Sequence, residues 1–182
     1  MLEVVVFAGV TAILLYVSRR SLFHLSSHGP YRFLAWESAV ALVILNAHAW
    51  FVDSFSVSQM VSWSLLASSL VLVIYSLSLL LANGKPNDDR VDPTLYKIEK
   101  TTVLVSSGVY KYIRHPIYAS GIIGTWGVYA KDPSWFGLIL AILATLFWGI
   151  AAKLEEAECI RYFGHAYQAY TKQTKRFIPR VF

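Results

Sequence analysis

Four runs of the chain stay almost free of charge for about the length of a bilayer crossing: Leu2 to Val17, Phe33 to Val52, Val61 to Ala82 and Trp135 to Ala152. A helix needs about 20 apolar residues to cross a hydrocarbon core about 30 Å thick, so each run predicts a membrane helix. A fifth run, Pro116 to Ala130, is shorter, and only Lys131, Asp132 and Pro133 with Ser134 part it from the last. So small a gap predicts a tight helical hairpin. Composition agrees: 56% of the 182 residues are hydrophobic and 15% charged, against about 25% charged in an average soluble domain. The expected fold is all-α, a polytopic membrane protein with about five transmembrane helices. It forms one domain, 1–182, with three spans in 1–82 and an inner loop, the hairpin and a C-terminal helix in 83–182.

Charge gives the expected orientation, because Lys and Arg accumulate in cytoplasmic loops. With the N-terminus outside, 15 of the 16 basic residues fall on the inner side and only Lys131 falls outside. Dropping the short fifth run would move the whole C-terminal basic group across, so the partition supports that span. The net charge of +5 is thus read as sidedness, and a nucleic-acid partner is set aside. The first run is expected to stay as an anchor, since Arg19 and Arg20 follow it and no small-residue cleavage site is evident. Cys159 is the lone cysteine, which leaves no intrachain disulfide and no cysteine metal cluster. Asn83 to Pro93, with its Gly, two Pro and three Asp, reads as the break that ends the third span.

The outer loops hold few reactive groups, so chemistry is expected on the inner side, in Asn83 to His115 and Lys153 to Phe182. In the first stretch, Ser106-Ser107-Gly108 breaks an apolar run and Tyr110-Lys111-Tyr112-Ile113-Arg114-His115-Pro116-Ile117-Tyr118 follows. Pro116 suits the first turn of a helix, which puts His115 beside free backbone N–H groups and the positive end of the helix dipole. In the second, the fifth span emerges into Lys153-Leu154-Glu155-Glu156-Ala157-Glu158. His115 and Glu155 end the two inner arms of one hairpin, where they can close on a single ligand. Beyond them Ile160, Phe163, Tyr167 and Tyr170 recur at the spacing of an interfacial amphipathic helix.

Plainer readings stand beside these. Arg114, Lys111 and the acidic run would serve equally as interfacial anchors and a solvated face. Glu37 lies in the second span, where an ionisable group is costly, and is a candidate for the substrate side; His48 and Asn46 are read as lying toward the middle of that span. His24 and His28 have the i, i+4 spacing of a metal pair, but no third ligand accompanies them and Gly29-Pro30 is read as ending any helix there. No metal is expected.

At these residues the chain resembles the integral-membrane methyltransferases of the isoprenylcysteine carboxyl methyltransferase and phospholipid methyltransferase group. Two motifs carry the resemblance: Leu104-Val105-Ser106-Ser107-Gly108-Val109-Tyr110 with Arg114-His115-Pro116-Ile117-Tyr118, and Glu155-Glu156 with Phe163-Gly164, Tyr167, Tyr170 and Ile178-Pro179. It covers roughly Leu95 to Pro179. It implies an S-adenosylmethionine pocket at the inner end of the hairpin, closed by the C-terminal helix, with a lipophilic small molecule or lipidated substrate entering from the bilayer. The implied cofactor contacts are Thr102, Val103, Leu104, Val105, Tyr110, His115, Pro116, Ile117, Tyr118 and Glu155. Two positions depart from the eukaryotic prenylcysteine enzymes, which carry Arg where this chain has Ala151 and His where it has Thr102. Lys153 lies about 200° round the helix from Ala151 and cannot simply stand in.

The residues suit such a ligand. A sulfonium, an amino group and a carboxylate match Glu155, aromatic faces, and His115 with the helix-end N–H groups. A thiol or amine acceptor must also lose a proton, for which Glu156 is a candidate base, whereas a carboxylate acceptor needs none. Glu158, further along the helix, is expected to point elsewhere. The expectation is therefore methyl transfer from S-adenosylmethionine to a membrane-partitioned carboxylate, thiol or amine. The alternatives are an NADPH-dependent membrane reductase of similar C-terminal architecture, for which no Gly-rich phosphate loop is evident, and a non-enzymatic helical scaffold.

Overall fold

The computed structural model describes residues 1–24, 26–87, 90 and 95–180. Six α-helices make up the described chain: α1 (Leu2–Leu22), α2 (Gly29–Leu45), α3 (Val57–Asn83), α4 (Pro116–Tyr129), α5 (Trp135–Phe163) and α6 (His165–Gln173). Among the described residues there is no β-sheet, only two isolated bridges. Of the stretch Asn83 to Pro93, residues 88, 89 and 91–93 lie outside the described ones.

Three helices, α1, α3 and α5, are long and apolar enough to cross a membrane. The two others in the bundle fall short of the five-crossing expectation: α2 has 17 residues and α4 has 14, about 26 and 21 Å at 1.5 Å per residue. The second span also shifts along the sequence. It begins at Gly29 rather than Phe33, because Gly29-Pro30 starts the helix instead of stopping one: Pro in the first turn lacks only an N–H that would be unpaired anyway. It stops at Leu45, so Asn46 and His48 lie at the far end of the bundle and not mid-span.

Contacts along the seams fix an antiparallel order. On α1 and α2, Ser21 meets Gly29 while Thr11 donates to Glu37 Oε2 at 2.8 Å. On α2 and α5, His28 meets Glu158, Ala35 packs with Ala151 and Ala152, and Leu42 with Ala141. The short α4 is wedged between α3 and α5 by its small residues, which let helices approach closely. A Cβ on Gly124 or Gly127 would sit 2.9 to 3.0 Å from Ser69 or Leu66 of α3, and one on Gly121 would meet the Trp148 ring of α5 at 2.9 Å. The core is correspondingly small-on-large, with Ala35, Ala151 and Ala152 fully buried around Tyr118 and Trp148. Large apolar side chains of α1 and α3, including Val4, Ile13, Leu70 and Ile74, stay exposed, as a lipid-facing surface requires.

The expected C-terminal amphipathic helix is broken in two. α5 runs on past Ala152 to Phe163; Gly164, at φ 58°, then turns the chain and α6 folds back. That turn brings Tyr167 and Tyr170 inward, where both are buried.

Candidate active site

The inner loop, the start of α4, the polar end of α5 and α6 converge on one cavity of about 720 Å³, counted with its open mouth. Backbone pairing builds the first wall. Arg114 N–H donates to Lys175 O at 2.8 Å and His115 N–H to Arg176 O at 3.1 Å, while Lys175 N–H donates to Tyr112 O at 3.1 Å. The C-terminal tail thereby fixes the residues just before α4, and the Tyr170 hydroxyl donates to Tyr110 O to hold α6 over them. Gly108 lets the loop press onto α3: its φ is 58°, and a Cβ there would stand 2.5 Å from a Leu79 methyl and 2.8 Å from the Tyr75 hydroxyl.

His115 caps α4 without a side-chain hydrogen bond to the helix, so the N–H groups of Ile117 and Tyr118, both lining residues, receive no cap bond from it. Its ring stacks on Tyr118, 5.4 Å between centroids, and Tyr118 continues onto Trp148 at 4.7 Å. His115 Nδ1 lies 3.7 Å from Glu155 Oε2 and Nε2 lies 3.4 Å from Glu156 Oε1. These are ion-pair separations that close no hydrogen bond at Nε2 or at Glu155 Oε2. Both atoms are buried without a hydrogen-bond partner, as are the Tyr118 hydroxyl and Trp148 Nε1. Buried polar atoms in a folded protein are nearly always paired, and three of these residues, His115, Tyr118 and Glu155, line the cavity.

Burial opposes charge on Glu155, but His115, His28, the Tyr118 hydroxyl and Arg32 outweigh it and hold the carboxyl below its ordinary range. Glu156 is also held well below its ordinary range: burial again opposes, and His115, Arg176 and Arg114 prevail. Its oxygens accept from Arg114 Nε at 2.8 Å and from Arg176 at 3.1 and 2.7 Å. It ties α5 to the residues before α4 and to the tail.

The matches to known proteins fall on this region. The model of the phospholipid methyltransferase family matches residues 57–166, more than half of the 182 in the chain. The chain belongs to the phospholipid methyltransferase family. Among its relatives, a methanethiol S-methyltransferase of Pseudomonas sp. (strain GM41(2012)) is 31% identical over 84 residues, 46% of this chain and 32% of the relative. The protein-S-isoprenylcysteine O-methyltransferase of Schizosaccharomyces pombe is 29% identical over 86 residues, 47% and 36% of the two chains. A longer match, 27% over 135 residues, takes in 72% of this chain and 51% of a methanethiol S-methyltransferase of Crocosphaera subtropica. The matched stretches thus span between about a third and a half of these relatives' lengths.

Within this family member, the cavity is lined by Leu104, Val105, Tyr110, His115, Pro116, Ile117, Tyr118 and Glu155 from the sequence-derived set. Thr102 and Val103 do not line it: the Thr102 hydroxyl donates to Lys85 O, and Val103 is exposed. Glu156 does not line it either, and a carboxylate gripped by two guanidiniums is a poor base. Glu37 does not line it and accepts from Thr11 of α1. Glu158, expected to point elsewhere, is buried against His28. His24 and His28 do not share a helix face: His24 is exposed between α1 and α2, whereas His28 is fully buried.

Sequence reading missed several lining residues, among them Arg90, Glu99 and Cys159. Arg90 donates to Thr101 O and stacks its guanidinium 4.3 Å over Tyr162. Glu99 accepts two 2.7 Å bonds from buried Arg32 of α2, whose guanidinium also lies 3.9 Å over the Tyr96 ring. The pairing spans 67 residues, and no local period could announce it. Burial pushes the Cys159 thiol up to about 12, so it stays protonated and unreactive.

Proposed function

We propose that the protein transfers a methyl group from S-adenosylmethionine to a small or lipid-linked apolar acceptor that reaches the cavity from the bilayer. One observation carries this reading: an ionised Glu155, an unpartnered His115 ring atom and the uncapped N–H groups of α4 meet at one aromatic-walled cavity. That donor set fits a ligand bearing both a cation and a carboxylate. Glu155 and the aromatic faces would hold the cationic part, and the α4 N-terminus with His115 the anionic part. When bound, the cofactor supplies an electrophilic methyl on a positively charged sulfur. The chain's own work is alignment and exclusion of water, which α6 and the tail perform by closing over the loop.

A thiol is the first acceptor to test, because the methanethiol enzymes among the relatives act on one by name; carboxylates and amines remain in the same assay. Ala151 and exposed Lys153 offer no cation beside Glu155 on α5 for a prenylcysteine carboxylate. The basic-residue partition further supports an N-terminus outside and the cavity on the cytoplasmic face, which a cysteine placed at Ser134 tests: labelling only from the outer side is expected, and labelling only from the cytoplasm would reverse the topology.

Calorimetry of the detergent-purified protein with S-adenosylmethionine, its demethylated product and NADPH in parallel tests the cofactor. Binding of the first two alone is expected. Binding of NADPH instead would select a reductase, and binding of none would leave a scaffold.

A further inference from the structure

A second concavity, of about 690 Å³ counted with its open mouth, lies where the polar end of α1 meets the inner loop. Val17, Arg19, Arg20 and Ser21 of α1 form one side, and Leu95, Tyr96 and Lys97 form the other. Leu95 is the one lining residue it shares with the candidate active site, so the two spaces are separate neighbours. The wall between them is held from two helices. The hydroxyls of Tyr96 and of Ser18 on α1 share a hydrogen bond at 3.1 Å, and the Arg32 guanidinium of α2 packs 3.9 Å over the Tyr96 ring. Ser21 and Leu95 are buried at the base of the groove.

The rim is charged with one sign. Arg19, Arg20 and Lys97 are exposed, no carboxylate is among the described residues that line the groove, and within the described residues none of the three cations belongs to an ion pair. Arg19 is already ordered there. Its Nη1 donates to Tyr16 O at 2.6 Å, and its guanidinium lies 4.1 Å over the exposed Tyr16 ring. A planar guanidinium matches the oxygens of a phosphate and an ammonium adds a point charge, so the groove is complementary to a phosphate-bearing anion.

The apolar side indicates where such an anion comes from. Val17 lines the groove and is exposed, and from it Ile13, Gly9 and Val6, all exposed, follow at four- and three-residue steps along one face of α1. A side chain on Gly9 would meet nothing within 4 Å. From Val17 to Val6 the helix rises about 16 Å, close to half of a hydrocarbon core about 30 Å thick. One apolar strip therefore runs from the cationic groove across a single leaflet.

We propose that this groove is a binding site for an anionic bilayer phospholipid, with the phosphate among Arg19, Arg20 and Lys97 and an acyl chain along the strip from Val17 to Val6. In the orientation proposed above the groove faces the cytoplasmic leaflet, where anionic lipids concentrate. The inference goes beyond methyl transfer and does not depend on it. Cations that merely anchor a helix end attract any anionic surface and need no groove, and that difference is measurable.

Native mass spectrometry of the detergent-purified protein counts bound lipids as phosphatidylglycerol or phosphatidylcholine with the same acyl chains is titrated. Each cation near an anionic headgroup is worth roughly fivefold in affinity, so the first phosphatidylglycerol should bind at least about tenfold more tightly than phosphatidylcholine, and Arg20→Gln or Lys97→Gln should each lose about fivefold. Val17→Trp keeps every charge and fills the groove, and should weaken that first binding by about tenfold. Because the replaced side chains are exposed, each variant should melt within about 2 °C of wild type; Val17→Phe serves if the tryptophan does not fold. In parallel melts phosphatidylglycerol should raise the wild-type midpoint, and inorganic phosphate should not.

Equal affinity for the two lipids would overturn the proposal. So would undiminished phosphatidylglycerol binding in Val17→Trp or Val17→Phe, since the cations would then act as a surface and not as a site. A midpoint raised as far by inorganic phosphate as by phosphatidylglycerol, and lost in Arg20→Gln, would make a soluble anion the occupant and overturn the lipid assignment.

Discussion

The two ends of the bundle solve the same problem, polar groups inside an apolar fold, in opposite ways. At the end away from the cavity, Lys131 is only 3% exposed, yet its ammonium donates to Gln59 Oε1 at 2.8 Å and sits 3.4 Å over the Trp63 ring. Gln59 Nε2 in turn donates to Ala49 O and Lys131 O, and Asn46 donates to Val128 O. That network closes on itself. At the cavity end, His28, His115, Tyr118, Trp148 and Glu155 each leave a buried polar atom without a hydrogen-bond partner. An unmade buried hydrogen bond costs about 1 to 3 kcal/mol, and although the Ser62 hydroxyl, one turn beyond Gln59, is unpaired too, the cavity end carries the larger such cost. Such a cost is retained where a ligand offsets it.

The largest effect should come from breaking the clasp beneath the cavity. Removing one partner of a buried ion pair typically costs about 3 to 5 kcal/mol, and the side chains of Glu156 and Arg114 are 12% and 10% exposed. Glu156→Ala should therefore lower unfolding stability by about 3 kcal/mol, with Arg176 partly rescued by solvent. The pH dependence has a definite sign. Because the folded-state carboxyl lies below its unfolded value, the wild type should hold the clasp's contribution above about pH 4.3 and lose it as pH falls toward the folded pKa. Denaturant melts of both proteins between neutral pH and pH 3 would check this. A stability gap that does not narrow in acid would mean that the clasp is not the source.

Glu155→Gln tests the cavity itself. It keeps shape and removes charge, so S-adenosylmethionine affinity should drop by about 10- to 100-fold, the usual 1.5 to 3 kcal/mol of a charged hydrogen bond, and stability near neutral pH should fall as well, because a carboxyl held below its ordinary range stabilises the fold when ionised. Calorimetry and melts on the same preparation separate the two. Unchanged affinity would return Glu155 to the class of interfacial acids.

Sequence legibility followed the same division. The apolar runs gave five helices, and the two motifs hold twelve of the cavity's lining residues, eight of them in the set the family resemblance implied, because both signals are local: a hydrophobic period, or residue types in order beside a Pro-started helix. Gly29-Pro30 misled, since Pro stops one helix and starts another with the same residue. Arg32 with Glu99 and His28 with Glu158 were illegible for a different reason. Each pair joins distant segments, 67 and 130 residues apart, and only the seam between α2 and α5 and the fold of the inner loop bring them together. Lys131 read only as the one basic residue of the outer side. Its burial depends on Gln59 and Trp63, in the first and second turns of another helix.

Lys131→Met gives the smallest and sharpest contrast. Methionine keeps the length and the apolar contact with Trp63, but leaves Gln59 Oε1 buried without its donor. The loss of that bond, together with the cation over the ring, should cost about 1 to 2 kcal/mol of stability. Cofactor affinity should not change, because sites this far apart with no shared partner are normally additive. Adding Gln59→Leu should then recover part of the loss, since replacing both partners of a buried hydrogen bond by apolar groups is often near neutral, although the Ala49 and Lys131 carbonyls forfeit their donor. If Lys131→Met instead weakened cofactor binding as much as Glu155→Gln does, the far end would not be a self-contained cap, and the contrast between a closed network and an open one would fail as an account of where this protein works.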